Sequence, residues 1–230
     1  MVTDARQDLV VVRTSVVIVS CREHPWLGAS IDSVRGQTDE VVVVDNGSPG
    51  RWASTVARGR GARVVRLGRN RGFPAGVNAG VRAAGGDVIG LLNDDAFAGE
   101  GWLASAAAVL ADGEVAAVAP KILFAGRDAD VVNNAGSYLS QLGYGGDFGF
   151  QAADGPAFDV PRECFAACGA AMVFRAETFA RVGGFAASFF AYYEDTDWCW
   201  RARLAGLRVR YEPEPAVRHV GGVTTGGGLD

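Results

Sequence analysis

The chain has 230 residues, of which 49% are apolar and 21% are charged, and its formal net charge is -4. These values are ordinary for one soluble domain with a sizeable core. They give no reason to expect nucleic acid or an anionic lipid surface as a partner, and no apolar run approaches the roughly 20 residues that a transmembrane helix needs.

The N-terminus and the cysteines favour a cytoplasmic protein. Residues 1–8 lack the basic and then apolar plan of a secretory signal. The cysteines are scattered, which is more typical of reduced thiols than of a disulfide framework or a zinc site. They are Cys21, Cys164, Cys168 and Cys199.

Short β-branched runs alternate with segments of helical spacing through the first half of the chain. Apolar side chains fall on one helical face at Leu27, Ile31 and Val34, between the first two runs. Strands that alternate with helices predict an α/β fold with a mostly parallel, doubly wound sheet and helices on both faces. The predicted strands cover residues 15–20, 41–44, 63–67, 87–92 and 115–119.

Regular patterning stops near Leu123. Residues 124–161 are rich in Gly, Asp, Asn and aromatic residues without a steady period, so they either shape an acceptor site or form a surface insertion. The pattern then predicts a strand over 169–174, a short helix over 176–181, a helix that begins near residue 194 with both faces buried, and a strand at 209–211. The glycine-rich tail, residues 223–230, is predicted to be flexible.

Carboxylates stand where two predicted strands end. Asp45 ends a four-valine strand, and Asn93, Asp94 and Asp95 end another. Ligands of open α/β sheets bind outside the carboxyl ends of the strands. Adjacent carboxylates repel unless a cation or hydrogen-bond donors compensate, and a divalent cation would also neutralise a diphosphate. The alternatives are an Asx turn at Asp45 and an acidic turn in solvent at 93–95.

Two further segments place charged side chains at the starts of predicted helices. The loop before a predicted helix carries Arg69 and Arg71, and a helix N-terminus with free N–H groups favours anions. Asp195 lies at the start of another helix, where burial or a neighbouring acid such as Glu194 would raise its pKa. A solvated, well-capped helix is the alternative in each case.

Together these segments resemble the family 2 glycosyltransferases of the GT-A fold, most closely their bacterial rhamnosyltransferase-like branch. Residues 183–201 are the most specific and resemble the pattern G-G-F-x4-F-x-x-Y-x-E-D-x-D-[LW]-C-x-R. Residues 70–78 resemble N-x-G-[FY]-[AG]-x-x-x-N. Residues 93–95 correspond to the D-x-D site, from which this chain departs by carrying Asn93 in the first position.

The resemblance implies one GT-A domain, with a nucleotide-sugar-binding half at about 1–120 and a smaller, mixed acceptor and catalytic half at about 121–222. It implies that Asp45 accepts the imide N–H of uracil or thymine and that Asp195 is the general base. Asp95 and His219 would hold Mg²⁺ or Mn²⁺. The implied donor-binding residues are Ser20, Asp45, Asn70, Gly72, Asn78, Asn93 and Asp94, and the implied acceptor-side residues are Glu194 and Trp198.

The implied activity is inverting transfer of a sugar, with rhamnose or another deoxysugar as candidates, from a UDP- or dTDP-sugar to a hydroxyl of a small molecule or lipid-linked acceptor, in the cytoplasm or at the membrane face. One alternative is a catalytically silent nucleotide-sugar-binding protein, which Asn93 invites. Another is a sugar-1-phosphate nucleotidyltransferase, whose basic glycine-rich loop is missing at residues 20–25. A monomer and a homodimer both fit the sequence.

Overall fold

The computed structural model describes residues 12–221, so the predictions for residues 1–8 and for the tail 223–230 lie outside the described part of the chain. The strands are β1 Thr14–Ser20, β2 Glu40–Asp45, β3 Arg63–Arg66, β4 Val88–Asn93, β5 Ala96–Ala98, β6 Val115–Phe124, β7 Val132–Asn134, β8 Ser137–Leu139, β9 Gly145–Asp147, β10 Arg162–Cys164, β11 Ala171–Arg175 and β12 Arg208–His219. The helices are α1 Leu27–Arg35, α2 Trp52–Gly59, α3 Phe73–Ala83, α4 Trp102–Leu110, α5 Ala176–Val182 and α6 Glu194–Leu204.

Within residues 12–221, ten strands form one mixed sheet, and its main path runs β10-β12-β6-β11-β4-β1-β2-β3. One half is parallel, because β1 pairs in parallel with both β2 and β4, and β2 with β3. The chain then inserts β11 antiparallel between β4 and β6, while β12 pairs in parallel with β6. The predicted doubly wound sheet is therefore confirmed, with a mixed second half.

Helices cover both faces of the sheet, and this explains the unbroken apolar runs. Successive side chains of a strand point to opposite faces, so Val17 joins one buried cluster and Ile18 joins the other. The first cluster includes Val77 of α3 and Trp198 of α6, and the second includes Leu27 of α1. A strand that is buried on both faces reads as a continuous apolar run.

Helix α6 corrects one prediction, because only one of its faces is buried. Trp198 is fully buried and its ring lies 5.5 Å from that of Phe179 and 5.8 Å from that of Phe174. On the other face Trp200 is 44% exposed and Leu204 is 77% exposed. The helix is anchored by one aromatic cluster and faces solvent elsewhere.

The irregular segment 124–161 contains more structure than its sequence predicts. It begins where β6 ends, and it contributes β7 to the edge of the sheet and the separate hairpin β8–β9. Several large apolar side chains in it are exposed, among them Leu142 and Tyr144 at the tip of the hairpin.

Candidate active site

The carboxyl ends of three parallel strands meet at one edge of the sheet. Ser20 at the end of β1 is paired in register with Asp45 at the end of β2, and Val19 is paired with Asn93 at the end of β4. The Ser20 hydroxyl is buried and has no hydrogen-bond partner in the described part of the chain. The ends of β1, β2 and β4 are therefore brought together as the sequence predicts.

Asp95 and His219 form a nearly buried pair at this edge. The end of β12 pairs with β5, which begins directly after Asp95, and the His219 Nε2 to Asp95 Oδ1 distance is 3.1 Å. Asn93 Nδ2 lies 3.3 Å from the same His219 nitrogen. Burial by itself raises the pKa of Asp95, but the hydrogen bond and charge of His219 hold that pKa below its ordinary value.

These two side chains suit a divalent cation. An octahedral cation with metal–ligand bonds of about 2.1 Å places neighbouring ligand atoms about 3 Å apart, which matches the Asp95 Oδ1 to His219 Nε2 distance of 3.1 Å. Residues 12–221 contain no cluster of three or more His, Cys, Asp or Glu side chains that could hold a metal ion. Asp95 and His219 could therefore supply two of the ligands of such a cation.

Asp94 is hydrogen-bonded to His24, a residue for which the sequence predicts no role. His24 Nε2 lies 2.8 Å from Asp94 Oδ2, and the backbone N–H of Trp26 donates to His24 Nδ1 at 3.2 Å. Burial lowers the pKa of His24, yet the hydrogen bond and charge of Asp94 raise it above its ordinary value. The ring also borders a cavity of about 400 Å³, together with Trp52 and Arg60. The signal for this residue is its place in the loop after β1, at the ligand-binding edge.

Asp45, at the end of β2, has protein hydrogen-bond partners on both carboxylate oxygens. Its Oδ1 accepts the backbone N–H of Ser48 at 2.9 Å, its Oδ2 accepts the Ser54 hydroxyl, and Arg66 Nε lies 3.8 Å from Oδ2. The side chain has no exposed surface. Burial raises the pKa of Asp45, but the hydrogen bonds of Ser54 and Ser48 lower it below its ordinary value. The Ser48 N–H bond is the Asx alternative, whereas the other carboxylate oxygen binds Ser54 of α2. The base-reading role of Asp45 stays a prediction.

The loop that precedes α3 is held by two asparagines. Asn70 Oδ1 accepts the Gly72 N–H at 2.8 Å and the Asn46 Nδ2–H at 3.1 Å, while Asn46 Oδ1 accepts the Arg71 N–H at 2.9 Å. Gly72 is buried with a φ of 84°, and a Cβ there would stand 2.5 Å from the Phe190 carbonyl oxygen. Asn70 and Gly72 therefore lie where the sequence predicts, but their polar groups bind within the loop.

The N-terminus of α3 is covered by residues 189–193, which we call the aromatic loop. The sequence predicts free N–H groups at this helix N-terminus, but the N–H of Phe73, the first residue of α3, donates to the Phe190 carbonyl at 2.8 Å. Phe190, Tyr192 and Tyr193 all have positive φ values, a conformation that costs about 1 kcal/mol or more for each such residue. Their side chains are at least 55% exposed. The loop thus presents aromatic rings to solvent directly before Asp195.

Asn78 and Trp198 are held by contacts within the protein, and their predicted roles in binding stay predictions. The Asn78 side chain donates to the Phe185 carbonyl at 2.7 Å and accepts the Phe185 N–H at 2.9 Å, so both of its polar groups are used. Trp198 lies in the core, where an acceptor has no access. The two side chains fix α3 and α6 against the segment that leads into the aromatic loop.

Asp195 is connected to the sheet edge through the residues before β11. Its Oδ2 accepts the Gly169 N–H at 2.6 Å, and the next residue, Ala170, accepts the Asn93 N–H at 2.9 Å. The Thr196 N–H donates to the other Asp195 oxygen at 2.6 Å. Burial raises the pKa of Asp195, although these backbone hydrogen bonds oppose that shift.

Glu194, the residue before Asp195, is a buried acid. It is 5% exposed, and its Oε2 has no hydrogen-bond partner in the described part of the chain. Burial, with the Asp195 charge as a smaller cause, raises the pKa of Glu194 to about 7. Burial thus gives Asp195 the raised pKa that a base at the start of α6 needs, and the catalytic role of Asp195 stays a prediction.

A model of the family described as Glycosyl transferase family 2 matches residues 15–183. The chain belongs to this family. The family resemblance is thereby confirmed, and the match includes Asp45, Asn93–Asp95 and the loop before α3 but ends before Asp195. In residues 12–221 of this family 2 chain, no helix is long and apolar enough to cross a membrane.

Two curated relatives share parts of this glycosyltransferase sequence. Pre-mycofactocin glycosyltransferase of Mycobacterium tuberculosis is 31% identical over 210 residues, which are 90% of this chain and 43% of that protein. Rhamnosyltransferase WbbL of Escherichia coli K12 is 47% identical over only 45 residues, or 20% of this chain and 17% of that protein. The chain thus spans less than half the length of these relatives.

Solved structures confirm the GT-A fold. GalNAc-T7, crystallised with UDP, GalNAc and Mn²⁺, superposes with a TM-score of 0.74 at 18% identity and covers 90% of this chain and 43% of its own. The mannosyltransferase PcManGT of Pyrobaculum calidifontis, in complex with GDP-Man and Mn²⁺, has a TM-score of 0.67 at 20% identity and covers 93% of this chain and 58% of its own.

Proposed function

We propose that this chain is an inverting, metal-dependent glycosyltransferase that moves a sugar from a nucleoside diphosphate sugar to an acceptor hydroxyl. The observation that carries the proposal is the Asp95–His219 pair at the carboxyl ends of the strands, joined through Gly169 and Ala170 to a half-buried acid, Asp195. Family membership supports it, and so do neighbours of the same fold that were crystallised with nucleotide and Mn²⁺.

Asp95 and His219 would hold the divalent cation, Mg²⁺ or Mn²⁺. When bound, such a cation supplies positive charge for the diphosphate that leaves the sugar. Asn93, beside the pair, offers an amide for a ribose hydroxyl. Ser20 offers a buried hydroxyl without a partner in the described structure. These residues orient the donor, and positioning contributes much of the rate in such reactions.

Asp195 would accept the proton of the acceptor hydroxyl. Two backbone N–H groups, from Gly169 and Thr196, hold its carboxylate in a fixed orientation. A raised pKa makes a carboxylate a stronger base near neutral pH, and burial raises the pKa of Asp195. A base that deprotonates the acceptor hydroxyl fits direct attack by the hydroxyl oxygen on the face opposite the leaving group, which inverts the anomeric configuration.

UDP- and dTDP-sugars are the donors that we propose first. A GDP-sugar is the alternative, because both oxygens of Asp45 already accept hydrogen bonds from the protein. The short similarity to a rhamnosyltransferase supports a deoxysugar such as rhamnose. Small-molecule and lipid-linked hydroxyl acceptors both suit the exposed aromatic loop, whether the enzyme acts in the cytoplasm or at the membrane face. Residues up to about 120 would bind the donor, and residues from about 121 to 222 would bind the acceptor.

Thermal unfolding with nucleotides tests the proposal. A ligand that binds only the folded state raises the unfolding temperature by mass action. We expect UDP or dTDP to stabilise the protein in the presence of Mn²⁺ and to do so far less with EDTA or in Asp95→Asn. No stabilisation by UDP, dTDP or GDP with Mn²⁺ present would contradict the proposal. Metal-dependent stabilisation without transfer to any acceptor would favour the catalytically silent binding protein.

A further inference from the structure

The acidic turn after β4 contains two adjacent carboxylates, each of which is paired with its own histidine. Asp94 is 4% exposed and Asp95 is 3% exposed. Buried charges require partners, and neighbouring like charges destabilise each other. Asp95 is paired with His219 at the end of β12, and Asp94 is paired with His24 in the loop after β1. The two acids are therefore drawn towards different elements of the fold.

The His24 ring is fixed by contacts on several sides. Its Nδ1 accepts the backbone N–H of Trp26, so the proton lies on Nε2, which donates to Asp94 Oδ2 at 2.8 Å. Its ring centroid lies 5.4 Å from that of Trp52. Histidines held in this way by a second hydrogen bond orient the carboxylates and metal ligands beside them.

We propose that His24 is a positioning residue that holds Asp94 away from the cation site, so that Asp95 and His219 alone bind the divalent cation. The inference rests on the proposed function. While His24 donates its Nε2–H to Asp94, only the Asp95 carboxylate is offered to the cation. The approaching diphosphate then meets less negative charge. Without His24, the buried Asp94 carboxylate loses this hydrogen bond while it stands next to the Asp95 carboxylate. The turn that presents Asp95 then rearranges.

Mn²⁺ binding in the presence of UDP, measured by the electron paramagnetic resonance signal of free Mn²⁺, tests this role without an activity assay. Loss of an outer hydrogen bond of this kind weakens metal binding by about tenfold or more. We expect His24→Ala to raise the Mn²⁺ dissociation constant by about tenfold. His24→Gln should recover most of the affinity, because its amide N–H reaches the place of Nε2. The neighbouring, exposed Glu23 provides a charge control, and Glu23→Gln should bind Mn²⁺ like the wild type.

A double-mutant cycle separates positioning from general damage to the fold. In the Asp94→Asn background, His24→Ala should change the Mn²⁺ affinity little, because the hydrogen bond that it removes no longer restrains a carboxylate. If His24→Ala and His24→Gln both bind Mn²⁺ as the wild type does, or if the loss is the same in both backgrounds, the inference is overturned. If the wild type itself does not bind Mn²⁺ with UDP, the proposed cation site fails and the role of His24 fails with it.

Discussion

The two sides of the candidate site are built by different means. On the donor side, Asp94, Asp95 and Asp45 are almost completely buried, and each has protein partners within hydrogen-bond distance. On the acceptor side, the aromatic loop is exposed, contains three non-glycine residues with positive φ, and leads into Glu194, whose Oε2 has no partner in residues 12–221. A paired, buried edge suits a fixed ligand such as a diphosphate, whereas an exposed, strained segment suits a part of the site that moves or varies.

The largest expected effect concerns the base on the acceptor side. Asp195→Asn keeps an oxygen for the Gly169 N–H but removes the basic group, so we expect turnover to fall by about 100- to 10,000-fold. The donor side does not involve this residue, and UDP binding should remain. Asp197→Asn, on the same helical turn, is the matched control and should keep its activity. Turnover of Asp195→Asn near the wild-type rate would assign the base to another residue.

The two tryptophans of α6 compare a buried face with an exposed one. Trp198→Ala should lower the free energy of unfolding by about 3–5 kcal/mol, because it leaves a large cavity among Phe174, Phe179 and Phe185. Trp200→Ala, which removes a 44% exposed side chain, should cost much less. Urea unfolding of both variants measures this difference. Equal costs would mean that both faces of the helix are buried, as its sequence pattern suggests.

Glu194 should make stability depend on pH. Its pKa is about 7 in the folded protein and near the ordinary value in the unfolded chain. The unfolded chain therefore loses this proton first as the pH rises, and the folded state loses stability until Glu194 is ionised in both states. The loss should be on the order of 2 kcal/mol and level off above about pH 7.

Urea unfolding between about pH 5 and pH 8 measures this slope. Glu194→Gln should remove it and leave the variant the more stable protein at the alkaline end. Glu177→Gln, at an exposed position in α5, should keep the wild-type slope. A slope that survives in Glu194→Gln belongs to another group.

Asp45 provides a smaller test on the donor side. Because its oxygens accept the Ser48 N–H and the Ser54 hydroxyl, Asp45→Asn should reduce stability by about 1 kcal/mol. The relative affinities for UDP, dTDP and GDP should stay the same, which calorimetric titration can measure. A selective loss of UDP and dTDP binding would restore the base-reading role that the sequence predicts.

The sequence predicts the donor side better than the acceptor side for physical reasons. The valine runs of β1 and β2 are buried on both faces, so a local pattern is sufficient to place the strands and to bring Ser20 and Asp45 to one edge. The pairing of His24 with Asp94 joins residues 70 positions apart, and a single histidine carries no local signal of such a contact.

Apolar periodicity does not predict which face of a helix is buried when both faces carry apolar side chains. Trp198 and Trp200 lie on opposite faces of α6, and the packing of β11 and α5 against one face decides which of them is buried. Positive φ values at Phe190, Tyr192 and Tyr193 oppose the local preferences of those residues, so the aromatic loop depends on its contacts with Gly72 and Phe73. The hydrogen bond from the Ser54 hydroxyl to Asp45, nine residues earlier, likewise depends on how α2 packs.

The most direct test of the account is a crystal of the protein with UDP and Mn²⁺, in which the anomalous scattering of manganese locates the cation. We predict one manganese peak bound by Asp95 Oδ1 and His219 Nε2, with the diphosphate as a further ligand. Asp94 should still be hydrogen-bonded to His24. A peak on Asp94, or bound UDP with no manganese between Asp95 and His219, would contradict it.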